Sequence, residues 1–358
     1  TLRMGLYQLL YMNSVPDSAA VNESVKLTHK LGQPGAAGLV NAILRSFIRD
    51  DKKFELPTDN IKALSVKYSC GEDLVKGFVN DYGEAIAENI LKGFENTDNS
   101  VTLRVNTLKI SADELLEKFK ENNITARRVA ICDTALKVYS AGDIRSLYGY
   151  KQGLFHVQDV ASQLCAKAVG ANENMRVLDV CAAPGGKSFS IAEYMGGKGE
   201  VISCDKYEQK IKMIATGAYR LGLNNIKSLL NNGEMFNSDL GNFDRVLCDL
   251  PCSGLGIMVK KPEIRYKNVA LLDNLPDLQY HLLCTSCEYV KSGGMLIYST
   301  CTLRKCENEQ IVEKFLNEHS DFSIVRVLPE IERNEDTLTL FPHQNGTDGF
   351  FISAFIRE

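Results

Sequence analysis

No apolar run in this 358-residue sequence approaches the ~20 residues that a membrane-spanning helix requires. The first residues also lack the basic, apolar and small-residue order of a signal peptide. Residue 1 is a threonine inside a helical pattern, so the chain is expected to be trimmed at its N-terminus. No internal repeat or low-complexity segment occurs. The formal net charge is -4, so no global basic excess announces nucleic acid, and any such binding must use local basic patches. Two nucleotide fingerprints are missing. A phosphate-binding loop of the form G-x-x-x-x-G-K-[ST] would need glycine where Cys181 stands, and G-x-G-x-x-G is absent. Zinc-finger spacing is missing too: Cys284-Thr285-Ser286-Cys287 lies in an apolar helical run without a second pair, and Cys248 and Cys252 have no histidine nearby. No metal is expected, and the C-x-x-C reads as core.

What is present is an ordinary globular composition, 44% hydrophobic and 24% charged, at a length that suggests two or three domains. Eleven cysteines, an odd count scattered through apolar segments, favour reduced thiols and a cytoplasmic setting. Residues 1–49 read as three short helices with stripes at Leu2, Leu6, Leu9 and Leu10, at Val21, Val25 and Leu31, and at Leu39, Val40, Ile43, Leu44 and Phe47. No chemistry is visible in them. Residues 57–150 read as a small α+β unit: helical stripes through Leu74, Phe78, Ile86 and Ile90, a strand at Val101–Val105, a helix around Leu115, Leu116 and Phe119, and a basic strand near Arg127-Arg128-Val129. Such a sheet could hold RNA, with Arg104, Arg127 and Arg128 as phosphate contacts; solvated surface arginines are the alternative.

From 151 onward strand-like runs at 176–181, 200–204, 226–230, 244–249 and 294–300 alternate with helical segments, notably 206–222 and 269–291. That is the pattern of a doubly wound parallel α/β sheet, with ligands at the carboxyl ends of its strands. Later strands at 322–328 and 350–356 point to an antiparallel edge. The first strand runs from Val177 into Cys181-Ala182-Ala183-Pro184-Gly185-Gly186-Lys187-Ser188, a glycine turn and helix start that lets a bulky ligand approach backbone N–H groups. Asp205 follows the second strand, where a carboxylate can accept both ribose hydroxyls; a helix cap is the plain alternative. Asp249-Leu250-Pro251-Cys252 follows the fourth and Ser299-Thr300-Cys301 the fifth. Neighbouring strands would bring Cys252, Cys301, Asp249 and Lys187 around one crevice, where a thiolate is a strong nucleophile.

Val177–Ser188, Asp249-Leu250-Pro251-Cys252, and Ser299-Thr300-Cys301 with Glu307-Asn308-Glu309 closely resemble the RNA 5-cytosine methyltransferases of the Sun/RsmB type. Phe155-His156-Val157-Gln158-Asp159 with Ser162-Gln163, and the closing Asp348-Gly349-Phe350-Phe351, resemble that family's entry and exit motifs. Gly5-Leu6-Tyr7-Gln8-Leu9-Leu10 resembles the end of its NusB-like RNA-binding domain. The resemblance implies a Rossmann-like S-adenosylmethionine methyltransferase domain at 151–358, after a small α+β domain at 57–150 and a partial NusB-like helical module at 1–56. It implies S-adenosylmethionine held by Cys181, Ala182, Ala183, Pro184, Gly185, Gly186 and Lys187, by Asp205 on the ribose, and by Asn232 and Asp249. Asn231-Asn232-Gly233 stands where the family has an acid, and Cys306 where it more often has another residue. RNA, by kinship the small-subunit ribosomal RNA, is the implied partner, with no membrane and a monomer by default.

Cytosine C5 is a poor nucleophile, and thiolate attack at C6 turns it into an enamine-like carbon able to accept a methyl group. The resemblance assigns attack to Cys301 and product release to Cys252. Asp249 would hold the N3/N4 edge, and Lys187 would lower a thiol pKa or touch substrate. The base must leave its stack. Lys260, Lys261, Arg265 and Lys267 are placed for phosphate contact at the mouth. DNA cytosine methyltransferases attack with the Pro-Cys cysteine, which leaves swapped roles open. A non-catalytic RNA-binding or ribosome-assembly factor keeping the fold is the reading from another class.

Overall fold

The computed structural model describes residues 1–95, 99–331, 333 and 335–358. They form two compact units, Thr1–Ala63 and Leu64–Glu358. In the first, α1 (Leu2–Tyr11), α2 (Asp17–Lys30) and α3 (Ala37–Arg49) follow the three apolar stripes of the sequence. Leu9, Ala20, Val21, Val40 and Leu44 are buried together. Gly5 permits the close approach: a Cβ there would lie 2.7 Å from Leu44 Cδ1 and from Ser24 Oγ. Helix α4 (Asn60–Lys67) runs across the division between the units.

In the second unit α5 (Glu72–Tyr82) and α6 (Glu84–Gly93) precede a small antiparallel sheet. Its strands are β1 (Ser100–Val105), β2 (Ala126–Val129), β3 (Cys132–Tyr139) and β4 (Phe155–Val157), in the order β2-β3-β1-β4. Helix α7 (Ala112–Glu121) starts at a reciprocal Ser111–Glu114 capping box and buries Leu115 and Phe119 against Leu103, Val105, Leu136, Val138 and Phe155. The fourth strand comes from beyond residue 150, so a domain boundary drawn there leaves out an edge of this sheet.

The large sheet follows α8 (Val160–Ala168). Its strands are β5 (Arg176–Asp179), β6 (Glu200–Asp205), β7 (Ile226–Leu230), β8 (Phe243–Asp249) and β9 (Val290–Thr300), with β10 (Phe322–Ile324), β11 (Leu338–Leu340) and β12 (Phe350–Arg357). The order is β10-β12-β9-β8-β5-β6-β7, with β11 on β12. Strands β5 to β9 pair in parallel; β12 joins β9, β10 and β11 antiparallel. Val177, Val201 and Leu247 point into a core shared with α8, α9 (Gly186–Tyr194) and α10 (Glu208–Leu221). Leu178, Ile202 and Val246 point the other way, against α11 (Leu275–Cys287) and α12 (Glu309–Glu318). Burial on both faces is why these strands read as continuous apolar runs. The helix expected over 269–291 is shorter: Pro276 occupies the first turn of α11, a one-turn 3-10 segment (Val269–Leu272) precedes it, and β9 begins at Val290.

Candidate active site

Strand β5 ends at Asp179, and the chain turns through residues 180–185 into α9. Val180 N–H donates to Leu247 O and Ala182 N–H to Cys204 O, which docks the turn across the ends of β8 and β6. Gly185 has φ +111°, and a Cβ there would lie 2.4 Å from Phe189 Cζ, so only glycine fits. Ser203 Oγ donates to Ser188 Oγ (2.8 Å) and Ser188 Oγ to Asp179 Oδ2 (2.6 Å), fixing the helix start to the strand below it. Burial raises the Asp179 carboxyl to about 7 despite that bond.

A cavity of about 540 Å³ opens over these strand ends, lined among others by Cys181, Ala183, Asp205, Asn232, Asp249, Cys252 and Cys301. Asp205 closes β6 almost fully buried; its Oδ1 accepts from Tyr207 N–H (3.2 Å) and its Oδ2 from Lys210 Nζ (3.3 Å). Asn232 holds its own turn, its Oδ1 accepting from Glu234 N–H at 3.2 Å. Of the sequence candidates, Ala182, Pro184, Gly185, Gly186 and Lys187 shape the turn from behind and do not line this cavity. Pro184 faces a separate open cleft beside Tyr150 and Arg220.

Pairing of β8 with β9 sets Asp249 beside Ser299, and the loops that follow bring the Cys252 and Cys301 sulfurs to 3.3 Å. Asp249 Oδ1 accepts from Ser299 Oγ (2.9 Å) and Oδ2 from Lys187 Nζ (2.6 Å). Burial alone would depress the Lys187 ammonium, but the Asp249 carboxylate outweighs it and holds its pKa above the ordinary value. The Cys301 thiol is lowered: first by the hydrogen bond from Cys252, against burial and the Asp249 charge, and with help from Lys187. Cys252 is pushed well above the usual thiol range by that same bond, by burial, and by the Cys301 and Glu307 charges. Of the two, Cys301 is therefore the more acidic thiol. Gly256 packs against Gly349 and Cys301: Gly256 N–H donates to Cys301 O (2.9 Å) and Gly349 N–H to Gly256 O (2.8 Å).

The basic residues divide. Lys261 and Lys267 line the cavity mouth. Lys260 does not serve phosphate, because its ammonium is held by Asp159 (2.6 Å) and Asp348 (2.5 Å). Arg265 is spent on Tyr68 O and Phe94 O, each at 2.8 Å. Arg104 overturns expectation most clearly: it is fully buried, its Nε donates to Glu193 at 2.7 Å, and it stacks on Tyr194 at 4.5 Å, so it cannot meet RNA. The period-2 pattern of β1 placed it on the inward face toward α9, and a lone arginine in a strand carries no signal of that. Arg128 pairs with Asp113 and Arg127 stacks on Tyr139, both at the sheet edge. Gln279 was not singled out by sequence; it is one polar residue in a helical run, legible as functional only once its partners are known.

Residues 166–356 match the family model described as 16S rRNA methyltransferase RsmB/F, over more than half of the chain. The chain belongs to this family. Residues 1–49 of this RsmB/F member match the NusB family, and residues 72–145 the ferredoxin-like domain of RsmF/B-like methyltransferases. The "Probable ribosomal RNA small subunit methyltransferase B" of Bacillus subtilis (strain 168) is 37% identical, over 100% of this chain and 82% of that protein. The protein of the same description from Synechocystis sp. is 36% identical over 98% and 81%. Among solved structures, a methyltransferase homolog protein from Pyrococcus horikoshii superposes with a TM-score of 0.73 at 25% identity, covering 84% of this chain and 100% of that one. NSun6 from Pyrococcus horikoshii, solved with SFG, gives a TM-score of 0.73 at 20% identity over 80% and 98%, a likeness of fold. As an RsmB/F member this chain is an S-adenosylmethionine-dependent RNA methyltransferase.

Proposed function

We propose that this enzyme methylates C5 of a cytosine in small-subunit ribosomal RNA, with Cys301 as the attacking thiolate and Cys252 as the group that completes release. The observation that carries the reading is the 3.3 Å contact between two thiols from adjacent strand ends, with Asp249 and its lysine beside them. The cavity fits the methyl donor. Asp205 offers a carboxylate suited to ribose hydroxyls, and Cys181, Ala183, Asn232 and Gly233 line the same cavity. When bound, S-adenosylmethionine supplies the electrophilic methyl group.

Cys301 Sγ forms a bond to C6 of a cytosine drawn out of its stack, and the C5=C6 electron pair moves toward C5 while N3 takes a proton. Asp249, fixed by Lys187 and Ser299, accepts from the N4 amine and favours that N3 proton. Consumption of the Cys301 thiolate removes the hydrogen bond and the charge that hold Cys252 protonated, so Cys252 releases its proton to the solvent of the open cavity and becomes the base. After methyl transfer Cys252 takes the C5 proton. The electrons of that C–H bond restore C5=C6, Cys301 leaves with the C–S pair, and N3 returns its proton to solvent, which regenerates the starting pair.

The swapped assignment is disfavoured by the two environments: the bond from Cys252, with help from Lys187, pulls the Cys301 thiol down against burial and Asp249, whereas that same bond, burial and the Cys301 and Glu307 charges push Cys252 up. The test is a denaturing gel of unmodified small-subunit rRNA transcript with S-adenosylmethionine and protein. A covalent band should accumulate with Cys252→Ala and be absent with Cys301→Ala. The opposite pattern assigns attack to Cys252. No band in either, with the cofactor still bound by calorimetry, refutes the covalent route on this RNA.

A further inference from the structure

Two adjacent buried residues, Glu307 and Asn308, reach both cysteine loops without lining the cavity. Glu307 Oε2 accepts from Ser253 N–H (2.9 Å) and from Gln279 Nε2 (3.0 Å), and the same Gln279 nitrogen donates to Pro251 O (2.9 Å). The peptide groups on either side of Cys252 are thus both held from Glu307. Asn308 ties the two residues on either side of the other cysteine: its Oδ1 accepts from the Thr300 hydroxyl (2.6 Å) and its Nδ2 donates to Thr302 O (3.0 Å). Ser253 and Thr302 then meet hydroxyl to hydroxyl at 2.6 Å. Arg304 balances the Glu307 charge through Oε1 (3.2 Å), and the Tyr298 hydroxyl donates to Glu307 O. Apart from the exposed Pro251 and the partly exposed Arg304 these residues are buried, and a buried carboxylate that accepts from an amide N–H orients it far more firmly than a solvated one.

We infer that Glu307 and Asn308 are a two-residue clamp that sets the geometry of the reacting thiols, Glu307 with Gln279 positioning Cys252 for release and Asn308 positioning Cys301 for attack. Both are positioning residues; neither touches RNA. The inference rests on the proposed roles of the two cysteines. Loosening the Glu307 side should slow release and leave attack intact, and loosening the Asn308 side should slow attack. A merely structural role would depress both steps together.

Glu307→Gln keeps the shape and loses one acceptor; Gln279→Met keeps the volume and loses both donors. Full-length variants would be incubated with unmodified small-subunit rRNA transcript and S-adenosylmethionine, beside wild type and Cys252→Ala. Covalent band, single-turnover methylation and multiple turnover would each be measured. We expect both variants to accumulate the band, with multiple turnover down about tenfold or more and single turnover much less affected. Asn308→Ala should instead form the band at least about tenfold more slowly. If Glu307→Gln fails to fold, judged by circular dichroism, Gln279→Met decides. Bands with Cys252→Ala but none with Glu307→Gln or Gln279→Met, or equal losses in single and multiple turnover, overturn the clamp. Absence of a band with Cys252→Ala overturns the cysteine roles instead.

Discussion

Arg104 sits in β1 and Glu193 in α9, so their ion pair ties the small sheet to the helix that follows the glycine turn. Both side chains are fully buried, and Arg104 also donates to Thr134 Oγ1 (3.0 Å) and Tyr194 OH (3.3 Å). Arg104→Met keeps most of the volume and removes the charge. Breaking a buried pair from one side costs about 3–5 kcal/mol, because the remaining charge loses its partner. The cost has a pH signature. Burial holds Glu193 at about 7 in the intact protein, against the counteracting pull of Arg104, and without Arg104 it rises further. A raised carboxyl pKa gives stability that is present at low pH and lost as pH rises through the folded value. Below pH 7 Glu193 holds its proton in both proteins, so the deficit there is flat and reflects Arg104's own hydrogen bonds. Above it the deficit widens by about 1.4 kcal/mol per pH unit. Urea unfolding between pH 6 and 8.5, followed by far-UV circular dichroism because the chain has no tryptophan, measures this. Arg104→Met/Glu193→Leu should be more stable than the single variant above pH 7 and should lose the widening. A deficit independent of pH, or a double variant no better than the single, refutes the reasoning. RNA affinity should keep its salt slope in Arg104→Met; a shallower slope would restore the phosphate-contact reading.

Asp205→Ala should weaken S-adenosylmethionine binding by about ten- to a hundredfold, as expected for loss of a charge-assisted hydrogen bond, and calorimetry giving an unchanged Kd would remove Asp205 from the cofactor site. His156 is buried, and burial, then the charges of Arg104 and Arg220, depress it to about 3. A depressed histidine gives stability that is lost as pH falls below its ordinary 6.5, so the stability difference between wild type and His156→Phe should shift against wild type by about 1.4 kcal/mol per unit from there toward pH 4. Parallel acid profiles would rule that out. Gly256→Ala would place a Cβ 1.9 Å from Gly349 O and 2.9 Å from Cys301 O, all backbone. Such overpacking costs about 1–3 kcal/mol, and methylation should fall more than stability does because the strain falls on the thiol loops. Full activity in the alanine variant would show that these loops yield freely.

Much of this architecture follows from local pattern. Three apolar stripes sufficed for α1 to α3, and runs such as Val177–Asp179 and Val201–Cys204 are apolar on both faces because the sheet is covered on both. The glycine turn and the order of strands pointed to the strand ends where the cavity lies, and strand adjacency brought Cys252 near Cys301. Charge was different. A lysine or arginine in sequence says nothing of its partner, and the same residue type became a cavity-mouth cation at Lys261, a buried strut at Arg104 and a two-carboxylate lock at Lys260. Which thiol is the more acidic was equally closed to sequence, since it depends on the contact between the two sulfurs and on charges such as Asp249, Lys187 and Glu307 that arrive from distant positions in the chain. Periodicity and turn chemistry act over a few residues and are written locally. Ion pairing and thiol acidity depend on distance in space and on exclusion of water, and only the folded chain decides those.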